Sequence, residues 1–491
     1  MAESHFVAFD LGAESGRAIL GTLSSDRLTL SEKHRFSNPN GRLNGRLYWN
    51  ILAQWEELKT GLRKCVASEH KLAGIGVDTW GVDFGLIGQG GELLGNPVHY
   101  RDVRTAGVMD ETVARVGLER IFESTGLQFM GLNTLYQLLA LKRYAPQILA
   151  IAETMLLMPD LMNYLFTGVR KSEFSIVSTT QMFDPRKRAW ATDLLTELEL
   201  PTRILTEIVP SGSVIGPLRS DVAAECGAGD VPVIAPASHD TASAVVAVPA
   251  SGEDWCYISS GTWSLMGVEL NEPIIHEKVR RYNFTNEGGI GGTIRFLKNI
   301  SGLWLVQECR RQWAKEGNDH TYAELTQMAA RAKSVGAFVD PSHATFQSPG
   351  EMPGKIAAFC EQTRQPVPDT RGEVVRCCLE SLAMTYRQTL DGLEDILGRK
   401  ISTIHILGGG SQNELLNQLT ADACARRVLA GPIEATAIGN ILVQAMAVGQ
   451  VRDLPHARAI VKESFDVKQY EPRGEKSREK AYAKYRAIVG K

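Results

Sequence analysis

A short strand–turn–strand device occurs twice in this chain, and it limits the folds open to it more than any other feature. Near the N-terminus the apolar run Phe6-Val7-Ala8-Phe9 meets a small polar turn from Asp10 to Arg17, and Ala18-Ile19-Leu20 follows. Apolar runs separated by Gly and Ser read as two strands and a tight turn. The layout returns where Tyr257-Ile258 leads through Ser259-Ser260-Gly261-Thr262 into Trp263-Ser264-Leu265-Met266-Gly267. Two halves that open on the same device suggest an internal duplication. The length of 491 residues agrees, since a chain this long exceeds one core and divides into domains of roughly 200–250 residues. Pro249-Ala250-Ser251-Gly252-Glu253-Asp254 is the best linker, so the expected division is 1–248 and 249–491.

Further strands and helices place the remaining motifs. Ile75-Gly76-Val77 runs into Asp78-Thr79-Trp80-Gly81, with Val82-Asp83-Phe84 behind it. Between 103 and 210 the pattern is largely helical, and Leu132, Leu135, Leu138 and Leu139 share one helix face. Val231 to Ala237 is β-like and feeds Ser238-His239-Asp240-Thr241 into a helix rich in alanine and valine. Ile404-His405-Ile406-Leu407 leads to Gly408-Gly409-Gly410-Ser411-Gln412-Asn413 and a helix from Glu414 to Arg426. The segment 470–491 mixes Lys, Arg and Glu at helical spacing, the pattern of a solvated helix.

Composition excludes several classes of function. Hydrophobic residues at 44% and charged residues at 22% are ordinary for a soluble globular protein. A formal charge of −3 lacks the basic footprint of a nucleic-acid binder. No apolar run approaches the roughly 18–20 residues that span a bilayer, and Met1-Ala2-Glu3-Ser4-His5 does not begin a signal peptide. A cytoplasmic enzyme is the expectation, with the oligomeric state open and a monomer one option. The cysteines Cys65, Cys226, Cys256, Cys309, Cys360, Cys377, Cys378 and Cys424 form no CxxC pair. Structural zinc is therefore not expected, and free, packed thiols are.

Five groups carry chemistry. In Asp10-Leu11-Gly12-Ala13-Glu14-Ser15-Gly16-Arg17, small residues let backbone N–H groups approach an anion. Asp10 could hold Mg²⁺ through water, and Arg17 could meet a phosphate oxygen. An ordinary hairpin turn explains the same residues equally well. Ser259-Ser260-Gly261-Thr262 is its counterpart, and two such loops could grip a polyphosphate. Gly408-Gly409-Gly410 offers a flat backbone surface before a helix N-terminus, but lacks the spacing of a P-loop or a dinucleotide fingerprint. Asn413 as a helix cap is the alternative. His239-Asp240-Thr241 supplies a carboxylate of the kind that accepts a hydroxyl proton during phosphoryl transfer, and an Asp at a helix start is also a common cap. Asp78, Trp80, Gly81, Asp83, Tyr100, Arg101 and Asp102 suit a sugar, with turn chemistry and a core tryptophan as the alternative.

Together these motifs resemble the FGGY carbohydrate kinases, of the actin/hexokinase/Hsp70 superfamily, from Asp10 to about Gly449. The general features are Asp10-x-Gly12, Tyr100-Arg101-Asp102-x-Arg104, Asp240 before its helix and the Gly408-Gly409-Gly410 loop. More specific stretches look like the rhamnulokinase branch of that family. They are Asp78 to Phe84, Ser238 to Ala244, Ser259 to Gly267, Asn286-Glu287-Gly288-Gly289 and Leu297 to Leu305. The resemblance implies two ribonuclease-H-like (actin-like ATPase) α/β domains with an active-site cleft between them. It implies ATP contacts from Ala13, Glu14, Ser15, Gly16, Arg17, Thr262, Gln307 and Gly409, with Asn299 on the nucleotide side. Substrate contacts fall to Gly81, His239, Asp240 and Thr241, and Asp240 matches the family's proton acceptor. Relatives often have a small residue at position 14, so Glu14 is expected to point outward, since an inward carboxylate would repel phosphate. The implied reaction is Mg²⁺- and ATP-dependent phosphorylation of L-rhamnulose at its C1 hydroxyl. Another FGGY ketose kinase, such as one for L-fuculose, or a non-catalytic sensor of the same fold, are the alternatives. Comparable cysteines in the family leave Cys65–Cys226 and Cys360–Cys377 pairing open.

Overall fold

The apolar run at the N-terminus forms the strand Ser4–Leu11, whose residues Phe6 to Phe9 are completely buried. A strand with both faces apolar belongs in the middle of a covered sheet, and there it lies. It pairs antiparallel with Ser15–Ser24 and parallel with Gly74–Thr79. The computed structural model describes residues 3–38, 40–69 and 71–489. The chain divides into two compact units. The first comprises Met1–Pro249, Glu269–Phe296 and Ala435–Phe465, and the second Ala250–Val268, Leu297–Glu434 and Asp466–Lys491.

The first unit is built on a six-stranded sheet in the spatial order Arg27–Ser37, Ser15–Ser24, Ser4–Leu11, Gly74–Thr79, Pro232–Ala235, Ser213–Pro217. The helix Ile51–Ser68 packs Leu58, Leu62 and Cys65 against one face, and Met158–Thr167 contributes Leu161, Met162 and Phe166 to the same core. A second cluster around Tyr136, Ile176 and Phe183 fills the helical part between 103 and 210. There the helix Thr134–Tyr144 buries Leu135 and Leu138, while Leu132 lies ahead of the helix start and Leu139 is half-buried. Two polar side chains hold the turn before it: the Thr134 hydroxyl donates to the Val82 carbonyl at 2.6 Å, and Asn133 Nδ2 donates to the Gln128 carbonyl at 3.0 Å.

The helix Ala435–Ala447 shows how late sequence completes the first unit. Its residues from Ala437 to Ala445 are all buried. It presses against Gly76, where a Cβ would lie 2.5 Å from Asn440 Oδ1, and against the helix Asp240–Val246. That second approach depends on Gly439, whose Cβ would lie 1.8 Å from the Ser243 carbonyl oxygen.

The second sheet has seven strands, in the order Thr285–Gly288, Ile294–Ser301, Trp263–Leu270, Trp255–Ser260, Thr403–Leu407, Arg427–Ala430, Lys468–Tyr470. Its hairpin Trp255–Ser260/Trp263–Leu270 is antiparallel, the next two pairings are parallel and the last is antiparallel. The first sheet has the same sequence of directions from its own hairpin outward. The repeated device thus opens the same run of strand directions in both sheets. A capping box at Thr370 and Glu373 starts the helix Arg371–Leu397, and Gly398 in the left-handed region ends it. The helix after the glycine loop runs Glu414–Cys424 and stops short of Arg426, because Ala425 turns left-handed.

All eight cysteines are buried free thiols, so neither Cys65–Cys226 nor Cys360–Cys377 forms a disulfide. Cys226 Sγ instead donates to the Lys59 carbonyl, and Cys377 Sγ to that of Ala337. No helix among the described residues is long and apolar enough to cross a membrane.

Candidate active site

In the first unit the candidate groups gather where adjacent strands end. Asp10 lies opposite Arg17 across the hairpin and opposite Asp78 in the parallel register. The Arg17 guanidinium donates to the Asp10 carboxylate. The turn Ala13-Glu14-Ser15-Gly16 is tied by the Gly12 N–H to the Ser15 carbonyl at 2.9 Å. Asn38 braces it from outside, donating its backbone N–H to the Glu14 carbonyl and Nδ2 to the Gly12 carbonyl at 2.8 Å. Gly16 tolerates nothing larger, since its Cβ would lie 2.2 Å from the Phe36 ring. Glu14 is exposed.

The loop Ser238–Asp240 is fixed from two sides. Thr79 N–H donates to the Ser238 carbonyl at 2.9 Å, and His239 bridges in parallel to Thr79. Glu173, fully buried, accepts from Ser238 N–H at 3.1 Å, and the Ser175 hydroxyl accepts from His239 N–H at 3.1 Å. Glu173 also takes the Ser175 and Ser211 hydroxyls and two backbone N–H groups. A carboxylate with that many donors is a rigid anchor. The cap of the following helix is His239, and Asp240 is its first residue. Asp240 Oδ1 receives the Thr241 N–H and, at 3.1 Å, the Thr241 hydroxyl. Among the described residues Oδ2 has no hydrogen-bond partner. The side chain is 34% exposed, so the carboxylate has one oxygen held and one open. Burial, reinforced by the Asp10 charge, pushes its pKa above the usual carboxylate range, while His239 pulls it down.

Gly81 belongs to a strained turn beside this loop. A Cβ at Gly81 would lie 3.1 Å from Thr179 Oγ1. Val82 has φ of 70°, a costly conformation for a β-branched residue. It is held there by Thr179 Oγ1 on its N–H at 3.2 Å and by the Thr134 hydroxyl on its carbonyl at 2.6 Å.

Other sugar-suited groups are occupied within the protein. Asp83 accepts from Trp49 Nε1 at 2.6 Å, Trp80 Nε1 at 3.1 Å, the Tyr100 N–H at 3.1 Å and Gln137 Nε2 at 2.9 Å. Burial pushes its pKa up to about 6 against the pull of those donors. Trp80 packs against Trp49 with ring centroids 4.1 Å apart and the planes tilted by 35°. Asp102 accepts from Leu47 N–H at 2.7 Å and Arg104 N–H at 2.9 Å. Core tryptophans and turn chemistry account for these residues. Asp78 is different. It is completely buried, Asn440 Nδ2 donates to its Oδ2 at 2.6 Å, and its Oδ1 has no partner among the described residues. Burial first, then the Asp10 charge, raises its pKa.

In the second unit three backbone loops meet. The turn after Ser260 is closed by Gly261 N–H to the Trp263 carbonyl at 2.8 Å. Gly302 N–H donates to the Thr262 carbonyl at 3.1 Å and Leu303 N–H to that of Gly261 at 2.9 Å. A Cβ at Gly302 would lie 2.8 Å from the Gly261 oxygen, and one at Gly410 would lie 2.1 Å from Ser260 Oγ. Gly409 has open space on its Cβ side. Thr262 and Gly409 therefore stand on contiguous loops. Gln307 lies in the first turn of the helix Trp304–Lys315, and its buried Oε1 has no partner among the described residues. Asn299 lies on the strand leading to that helix. Asn413 does cap its helix, accepting from Leu416 N–H at 2.9 Å.

Residues 5–247 match the N-terminal domain of the FGGY family of carbohydrate kinases, and residues 256–448 match its C-terminal domain. This chain belongs to the FGGY family. A rhamnulokinase of Bacteroides thetaiotaomicron is 42% identical over 99% of this chain and 100% of its own length. One of Oceanobacillus iheyensis is 42% identical over 94% of this chain and 97% of its own. Among solved structures, a gluconate kinase from Lactobacillus acidophilus matches with a TM-score of 0.80 at 16% identity, covering 99% of this chain and 96% of that one. A Plasmodium falciparum glycerol kinase with ADP matches with a TM-score of 0.79 at 14% identity, covering 99% and 97%. The FGGY kinase fold, two actin-like α/β domains, is thus established for the chain, and with it a phosphotransferase that uses an alcohol acceptor.

The sequence missed the side chains that brace these loops and Asp78: Asn38, Glu173, Ser175 and Asn440. Each is an isolated polar residue with no motif around it.

Proposed function

We propose that this protein phosphorylates L-rhamnulose at its C1 hydroxyl with ATP, giving L-rhamnulose 1-phosphate and ADP, in the cytoplasm. The chemistry rests on one observation, the half-held carboxylate of Asp240, whose Oδ2 is open and whose pKa is raised. A general base works best when its pKa lies nearer the operating pH. The choice of sugar is supported by identity to rhamnulokinases along the whole chain. Gly81, His239 and Thr241 bind the ketose beside Asp240. The Ala13–Arg17 turn, Thr262, Asn299, Gln307 and Gly409 bind ATP. The first unit thus serves the sugar, and the second mainly the nucleotide. Eight free, buried thiols suit a reducing compartment.

Asp240 Oδ2 takes the C1 hydroxyl proton as that oxygen forms its bond to the γ-phosphorus. The bond from phosphorus to the bridging oxygen of ADP breaks, ADP leaves with the electron pair, and the carboxylic acid returns its proton to solvent. Arg17 and the backbone N–H groups of the two loops stabilise charge on the phosphates.

Kinases of this kind use Mg²⁺, and the residues fit it. No group of three or more His, Cys, Asp or Glu among the described residues could hold a metal alone. Mg²⁺ typically needs only one or two carboxylates, with phosphates and water completing its shell. The buried Oδ1 of Asp78, without a partner among the described residues, belongs to the residue beside Asp10 in the sheet register, so hard oxygen donors are present. Asp10 would hold the ion through water, and the ion would neutralise phosphate charge.

A panel of ketoses in a coupled ADP assay, with the phosphorylated carbon located by NMR, tests the substrate. L-Rhamnulose should give the highest kcat/KM and a 1-phosphate product. A tenfold preference for another ketose overturns that choice. Asp240→Asn should retain ATP binding and lose about 10²–10⁴-fold in turnover, and undiminished turnover would sink the mechanism.

A further inference from the structure

Arg295 is completely buried and is used by nothing in the mechanism so far. Its Nη2 lies 3.0 Å from His239 Nδ1 and donates to Glu287 Oε2 at 3.2 Å, while its Nε donates to the Gly288 carbonyl at 2.8 Å. Glu287 is also buried, with Oε2 3.4 Å from His239 Nδ1. On the far side of the ring, His239 Nε2 stands 3.3 Å from Asp240 Oδ1. A guanidinium has donors only, so a bond between Arg295 and Nδ1 makes Nδ1 the acceptor. A neutral imidazole then carries its proton on Nε2, the ring nitrogen 3.3 Å from Asp240 Oδ1.

We propose that Arg295, anchored by Glu287, is a positioning residue that holds His239 in its Nε2–H tautomer, so that His239 fixes Asp240 Oδ1 and leaves Oδ2 to receive the substrate proton. The proposal rests on the reading of Asp240 as proton acceptor. A buried Arg–Glu pair suits such a role, because an apolar pair of similar volume is often as stable and would serve packing alone. The competing arrangement puts the proton on Nδ1, donated to Glu287. Nε2 would then present a lone pair to the Asp240 carboxylate, and the two would repel.

The test uses the full-length enzyme, with histidines selectively labelled with ¹⁵N, and the best ketose of the panel. In the unsubstituted protein the His239 ring should show Nε2 protonated and Nδ1 not; a protonated Nδ1 alone overturns the proposal. Arg295→Met should change that signature and lower kcat about 10²-fold, within the range of a displaced general base, with KM for ketose and ATP within about threefold. Arg295→Lys, which keeps a donor towards Nδ1, should recover to within about tenfold of the original kcat. An Arg295→Met protein that folds and keeps its kcat overturns the proposal. If that variant does not fold, the histidine series decides. His239→Gln keeps an N–H near the Nε2 position and should turn over at least tenfold faster than His239→Asn; the reverse order overturns the proposal. Full turnover by Asp240→Asn would remove the underlying reading as well. A slow Asp240→Asn together with a protonated Nδ1 would remove this proposal alone.

Discussion

In the proposed mechanism, two local features fit Asp240 for work as a base. As first residue of its helix it spends Oδ1 on Thr241, and burial raises its pKa above the usual carboxylate range. The active form is the ionised one, so kcat/KM for the ketose should fall as pH drops through that raised value. We expect a one-proton acid limb centred above about 3.9, the free Asp value. A limb at or below it in the pH–rate profile would contradict the role of burial. The place of Asp240 at a helix start was legible in the sequence, because a carboxylate between a buried strand and a helix is a local pattern. Its supports were not. Glu173 reaches Ser238 across 65 residues, Arg295 reaches His239 across 56, and Asn440 reaches Asp78 across 362. No spacing rule links residues that only the folded chain brings together.

At the scale of elements, two glycines in helices make opposite predictions. Gly439 lets the helix Ala435–Ala447 touch the backbone of the helix Asp240–Val246, where a Cβ would lie 1.8 Å from the Ser243 oxygen and 2.6 Å from its carbonyl carbon. Backbone cannot step aside as a side chain can. Gly439→Ala should therefore destabilise by about 2–3 kcal/mol, as overpacking does, and lower kcat by moving Asp240. Gly354, in the helix Met352–Gln362, has nothing within 4 Å of its Cβ position. Gly354→Ala should stabilise by about 0.5–1 kcal/mol. Urea midpoints of the two variants check both signs. The hairpins that open each sheet were legible because turn chemistry is local. The helix boundaries at Thr134 and Cys424 were set instead by turn conformations at Asn133 and Ala425.

The whole molecule is less divisible than its sequence suggests. The first unit ends one stretch at Pro249 but regains the chain at Glu269–Phe296 and again at Ala435–Phe465. The later pieces carry Glu287, Arg295 and the helix that supplies Asn440. A fragment of residues 1–249 should therefore lack a stable fold, although it holds Asp10, Asp78 and Asp240. Far-ultraviolet circular dichroism with a urea titration tests this; a cooperative transition with native-like helix content would refute it. The first crossing falls between Pro249 and Ala250, at a turn-forming stretch, whereas the later returns leave no trace in composition.

The eight cysteines, all buried as free thiols, have a practical consequence. Thiol reagents reach a buried sulfur only when the surrounding structure opens. Cys65 and Cys226 lie in the first unit and Cys256, Cys309, Cys360, Cys377, Cys378 and Cys424 in the second. The enzyme thus carries native reporters in each unit. Pulse alkylation followed by peptide mass spectrometry can rank the order in which the units breathe, with no engineered label and no altered residue.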